Sequence, residues 1–112
     1  MDMSVEQKGD VAVVSVRADH LDASVSEEFK RELAPVLEEH QFVLLDMGQL
    51  RFVDSAGLGA ILSCLRKVSG NGGDLKLCNL AKPVRASFEI ARMHRIMDIL
   101  GTEEDALRAF SR

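Results

Sequence analysis

The sequence predicts an α/β fold: a mixed sheet of four to five strands covered by about four helices. Two observations lead there. Short apolar stretches of strand length at Val11 to Arg17, Phe42 to Leu45 and Asp74 to Cys78 alternate with longer stretches whose apolar residues recur every three or four positions. Strong chain breakers, Gly9-Asp10 and Gly70-Asn71-Gly72-Gly73, fall between them. At 112 residues the length suits one domain spanning 1–112, large enough to bury a core.

The first elements read as a hairpin. Met3, Val5 and Gln7 begin an alternating stretch, and Val11 to Arg17 a richer one, joined by a Gly-led two-residue connection that predicts antiparallel pairing. Ala18 to Ala23 is a polar turn containing Asp22, after which Ser24-Val25-Ser26-Glu27 matches a capping box. The helix that follows has Val25, Phe29, Leu33, Val36 and Leu37 on one face, a kink expected at Pro35, and its end at His40-Gln41. Phe42-Val43-Leu44-Leu45 is a continuous apolar run, as in a strand buried on both faces.

Asp46 to Val53 then leads into Phe52-Val53-Asp54-Ser55-Ala56-Gly57-Leu58-Gly59, the stretch around which the chain is organised. Ser55 stands where a helix N-cap belongs, ahead of a helix from Ala56 to Ser69 with Leu58, Ile61, Leu62, Leu65 and Val68 in one apolar stripe. The opposite face, Ala56, Gly59, Ala60, Ser63 and Lys67, is made mainly of small side chains that another body can approach closely. Glycine in a helix costs about 1 kcal/mol relative to alanine, so Gly57 and Gly59 need a reason. Close packing against the sheet competes with partner access as that reason. A helix N-terminus also offers unpaired N–H groups and the positive end of a dipole, where a phosphate on Ser55 would fit.

Asp74 to Cys78 is the next strand, and Pro83 suits the first turn of a third helix running to about Met93, with Val84, Phe88 and Ala91 inward. Ile96 to Ile99 is either a short edge strand or a connection. Thr102 followed by Glu103, Glu104 and Asp105 opens a last helix whose face is Ala106, Leu107 and Phe110. Strand-to-helix loops of such a sheet gather at the carboxyl ends of the strands, so the Asp22 loop and the Ser55 turn are expected to be neighbours.

Composition excludes several functions. The net charge is −4, with no Trp or Tyr and no basic patch interleaved with aromatics, which argues against nucleic acid. No apolar run approaches the roughly 20 residues of a membrane span and the acidic start does not resemble a signal peptide, so no membrane insertion is expected and the default location is the cytoplasm. Cys64 and Cys78 lack metal-ligand spacing and read as buried thiols, and His20, His40 and His94 form no ligand pair, so neither metal nor cofactor is expected. There is no GxSxG elbow and no GxxxxGK[ST] loop, and catalysis is not expected.

Asp54-Ser55-Ala56-Gly57-Leu58-Gly59, after a strand ending in Leu45-Asp46, resembles the signature of the STAS domain family, named for sulfate transporters and anti-sigma factor antagonists. The order of elements agrees over nearly the whole chain, and the length is similar to that of the stand-alone bacterial antagonists. The resemblance implies that Ser55 is phosphorylated by a partner that is both an anti-sigma factor and a serine kinase, of the histidine-kinase-like ATPase type, and dephosphorylated by a serine phosphatase. It implies that Asp22 lies near the phosphosite, and Asp22, Asp54 and the small side chains Ala56, Gly57, Gly59, Ala60 and Ser63 are the expected partner-binding residues. Ala56 departs from the many relatives that have Ser or Thr there, leaving Ser55 as the only hydroxyl in the motif. A non-switching STAS subunit of a lipid-transport ABC complex is the alternative.

Overall fold

The computed structural model describes residues 1–111. Its main sheet has five strands in the order β1-β2-β4-β6-β7, formed by β1 (Met3–Lys8), β2 (Val11–Val16), β4 (Phe42–Asp46), β6 (Asp74–Cys78) and β7 (Ile99–Leu100). A second, two-stranded sheet pairs β3 (His20–Leu21) with β5 (Phe52–Val53). The helices are α1 (Ser26–Glu39), α2 (Ser55–Gly70), α3 (Lys82–Ile90) and α4 (Glu103–Phe110), with a 3₁₀ turn at Met93–Arg95.

The hairpin forms as the sequence predicts. Lys8 pairs with Val11 across a two-residue turn in which Gly9 takes φ +63°, a conformation that a side chain would disfavour. β1 is antiparallel to β2, and every other pairing in the main sheet is parallel.

Alternation along the central strands sorts side chains into two cores. Val14, Val16, Val43, Leu45, Leu75 and Leu77 face the layer of α1, α2 and α3, where they meet Phe29, Leu33, Ile61, Leu65, Val84 and Phe88. Val11, Val13, Leu44 and Cys78 face the other way, under Ala106, Leu107 and Phe110 of α4. The continuous apolar run 42–45 is therefore explained: β4 is the middle strand and is covered on both faces.

Lys76 is the exception on the α4 side, only 3% exposed. Its Nζ lies 3.1 Å from Asp74 Oδ2 and 2.5 Å from Asp98 Oδ2, and 4.9 Å from the Phe110 ring centroid. Desolvation pulls its pKa down, but the hydrogen bonds it donates to Asp98 and Asp74 outweigh that and the net shift is upward, so the ammonium stays charged.

Several local expectations are corrected. The capping box at Ser24 does not form. Helix α1 starts at Ser26 with Val25 at its cap and no side-chain cap bond, because Ser24 turns back to donate both its N–H (3.0 Å) and its hydroxyl (2.6 Å) to Asp22 Oδ1. α1 runs on through Pro35, which lies on the exposed side of the helix. β3 and β5 escaped sequence reading because two residues carry no periodicity. α3 ends at Ile90 rather than near Met93, with Arg92 in the left-handed region, and the edge strand is Ile99–Leu100 rather than Ile96 to Ile99. α4 begins as expected, with the Thr102 hydroxyl accepting from Asp105 N at 3.1 Å.

Candidate functional site

The site is assembled by the small second sheet. β3 and β5 run parallel in the register His20 to Phe52 and Leu21 to Val53. Leu21 and Val53 point into the core while His20 and Phe52 point out, and the next step along each strand brings Asp22 beside Asp54. The two loops singled out in the sequence are thus neighbours.

Asp54 ties them together. Its backbone is extended, and its Oδ1 accepts from Gly57 N at 2.9 Å, which makes Asp54 the N-cap of α2. Its Oδ2 accepts from Ala23 N at 3.1 Å, and its own N–H donates to Leu21 O at 3.4 Å. The sequence expectation that Ser55 is the N-cap is corrected, since the carboxylate one residue earlier occupies that role. Ser55 is the first helical residue instead; its side chain is exposed and its hydroxyl has no hydrogen-bond partner among the described residues. Both readings put Ser55 at the positive end of α2, but only the observed one leaves its hydroxyl free to react.

The two glycines of the motif differ in kind. A Cβ on Gly57 would lie 2.1 Å from Leu21 O and 2.8 Å from Val53 Cγ2, so the absent side chain lets α2 press against β3 and β5. A Cβ on Gly59 would meet nothing within 4 Å. Gly57 is buried, and Ala60, expected on the small accessible face, is 3% exposed within the main core. This docking turns the buried stripe of α2 to Gly57, Ala60, Ile61, Cys64, Leu65 and Val68. The exposed line is Ser55, Gly59 and Ser63, one turn apart, with Ala56, Leu58 and Leu62 half-buried beside it. Leu58 and Leu62, expected inside, thus lend apolar area to the surface next to Ser55.

Charge around the turn is mostly negative. Asp22 is half-buried, and the Ser24 hydroxyl is the main cause holding its pKa below the usual carboxylate value. His20 Nδ1 lies 2.7 Å from Asp19 Oδ1, a hydrogen bond that raises the imidazole pKa and lowers that of Asp19. Phe52, 54% exposed, stands in the same outward row. Asp19 and His20 were missed in the sequence, and Phe52, though part of the organising stretch, was not singled out as a site residue. The signal for Phe52 was its place directly before the motif; nothing local marked Asp19 and His20, which reach the site only through the β3–β5 pairing.

No group of three or more His, Cys, Asp or Glu among the described residues is placed to hold a metal ion. A depression of about 490 Å³, lined by Ser15, Arg17, Asp46, Gln49 and Asn79 at the ends of β2, β4 and β6, includes none of the motif residues. Among the described residues no helix is long and apolar enough to cross a membrane.

The chain has relatives among known proteins. The STAS domain model matches residues 2–106. The chain is 27% identical to the anti-sigma F factor antagonist of Paenibacillus polymyxa over 110 residues, covering 96% of this chain and 94% of that one. It is 26% identical over 109 residues to the anti-sigma-B factor antagonist of Bacillus subtilis, covering 96% and 100%. The fold is shared with the Bacillus cell fate determinant SpoIIAA in its phosphorylated form, at a TM-score of 0.69 and 21% identity over 96% of this chain and 98% of that one. With a family model spanning nearly its whole length and the motif at the start of α2, the chain belongs to the STAS domain family.

Proposed function

We propose that this protein is an anti-sigma factor antagonist switched by phosphorylation at Ser55. Unphosphorylated, it binds an anti-sigma factor that is also a serine kinase of the histidine-kinase-like ATPase type; phosphorylated, it releases it, and a serine phosphatase restores binding. The chain supplies the acceptor hydroxyl and the partner the chemistry, in the cytoplasm. The observation that carries this reading is the free, exposed Ser55 hydroxyl on the first residue of α2, after the Asp54 cap and beside a surface of small and half-buried apolar side chains. The names of the relatives, and the phosphorylated form of SpoIIAA, support it.

The switch follows from charge. A phosphate adds about −1.5 to −2 at neutral pH. The N-terminus of α2 accommodates that charge within the fold, so little unfolding is expected. At the interface, however, a dianion next to Asp54 and Asp22 would have to be desolvated beside two carboxylates, which opposes binding. The exposed line Ser55, Gly59 and Ser63, with Ala56, is the expected contact. Gly57 and Ala60 act beneath it by letting α2 sit close to the core.

The test is mass spectrometry of the protein from its native cells, with a Ser55→Ala control, followed by binding of the co-purifying kinase to Ser55→Ala and Ser55→Asp. Phosphate on Ser55 and loss of binding in Ser55→Asp are expected. No phosphate under any growth condition, with co-purification of a transporter ATPase, would replace this reading with that of a constitutive lipid-transport subunit.

A further inference from the structure

The segment from the end of α3 through the 3₁₀ turn takes no part in the switch, yet it differs from the rest of the surface. Lys82 to Ile96 contains Lys82, Arg85, Arg92 and Arg95 against Glu89 alone, a net +3 in a chain of net −4, so the remainder carries −7. Ile90 is 83% exposed and Ile96 54% exposed, and they flank Arg92 and Arg95 in sequence. Neither arginine has an ion pair among the described residues. The carboxylates bordering the segment are already neutralised, Glu89 by Arg85 at 3.4 Å and Asp98 by Lys76 at 2.5 Å.

Arg92 adds an independent observation. It follows the end of α3 at φ +60°, where glycine is the unstrained residue. The fold therefore holds a cation at this point against a local conformational preference for glycine.

Aliphatic side chains beside unpaired arginines are the chemistry of a surface that meets anionic lipid headgroups, the isoleucines entering the headgroup boundary and the guanidinium groups taking phosphate. The segment lines none of three surface depressions of about 400–490 Å³ found among the described residues. Acidic peptides bound as a helix or a strand need a groove or a sheet edge, whereas a plane of headgroups needs neither. Repulsion from acidic groups elsewhere on the chain is screened over about 8 Å at physiological salt. We propose that residues 89–96, through Ile90, Arg92, Arg95 and Ile96, dock this protein on an anionic phospholipid surface.

The test is co-sedimentation of the full chain with vesicles of phosphatidylglycerol mixed into phosphatidylcholine, against pure phosphatidylcholine, at low and at physiological salt. Binding to the anionic vesicles alone, weakened by salt, is expected. Arg95→Gln and Arg92→Gly should each weaken it about fivefold, and the double variant Ile90→Ser, Ile96→Ser about tenfold or more. Arg92→Gly separates docking from folding, since it should leave the melting temperature unchanged or higher while losing affinity. Equal binding to neutral vesicles, no binding to either, or anionic binding untouched by all three variants would overturn the proposal. Absence of vesicle binding together with Arg92-dependent binding to poly-glutamate would replace it with an acidic protein partner.

Discussion

Gly57→Ala is the sharpest test of how the site is built, because it sets helix propensity against packing. In an isolated helix the change is favourable by up to about 1 kcal/mol. Here the new Cβ would lie 2.1 Å from Leu21 O and 2.9 Å from Leu21 C, both backbone atoms that cannot rotate away. Restoring an ordinary contact of about 3.5 Å requires β3 and α2 to separate by roughly 1.4 Å. That movement strains the Asp54 N–H bond to Leu21 O, already 3.4 Å long, and the Ala23 bond to Asp54 Oδ2. Overpacking costs about 1–3 kcal/mol and each of the two weakened hydrogen bonds about 1 kcal/mol, so after the gain in helix propensity the net change is a loss of about 2–4 kcal/mol. Thermal unfolding should show it as a fall of roughly 8–30 °C. Gly59→Ala, with open space around its Cβ, should instead raise the melting temperature by a few degrees, for a gain of about 0.5–1 kcal/mol. Similar melting temperatures for the two variants would refute the claim that Gly57 exists for the approach of α2 to β3. Under the proposed function Gly59→Ala should still weaken partner binding, despite the more stable fold.

Other predictions follow from the same geometry. Asp54→Ala removes the acceptors of Gly57 N and Ala23 N and should cost about 2 kcal/mol in urea unfolding, whereas Asp54→Asn keeps a capping oxygen and should cost less than half as much. Burial pushes the Cys64 thiol up to about 11 and the Cys78 thiol up to about 12, so neither should react with iodoacetamide at neutral pH until the protein unfolds, and rapid native labelling would contradict the packing. The Asp19 hydrogen bond raises the His20 pKa above its unfolded value, so its contribution is fully present below the unfolded pKa and is lost as pH rises through the folded pKa. The melting-temperature difference between wild type and His20→Gln should accordingly be larger near pH 6 than near about pH 8, and an opposite trend would remove the pair from the account.

Much of this protein was legible in its residues. The hairpin at Gly9-Asp10, the doubly buried run at 42–45, the cap at Thr102 and the α/β alternation all follow from local chemistry, because each depends on neighbours within a few positions. The Ser55 motif was legible for the same reason. The face of α2 was not. Leu58 and Leu62 fit the apolar period as well as Gly57 and Ala60 do, and a period does not say which of two adjacent stripes a helix turns inward. That choice was made by the fit of Gly57 against the Leu21 carbonyl.

The cap shows the same division. Ser55 and Asp54 are both competent caps, and Asp54 takes the role because its second oxygen also meets Ala23 N, 31 residues away in sequence. What the amino-acid sequence determined by itself was therefore the longer elements, their order and the position of the Ser55 motif at the start of a helix. Only the tertiary structure decided which hydroxyl stays free, which glycine is structural and which acidic side chains surround the turn. These depend on contacts between β3, β5 and α2 that no local window contains, since two-residue strands acquire their register from the core beneath them and not from their own sequence.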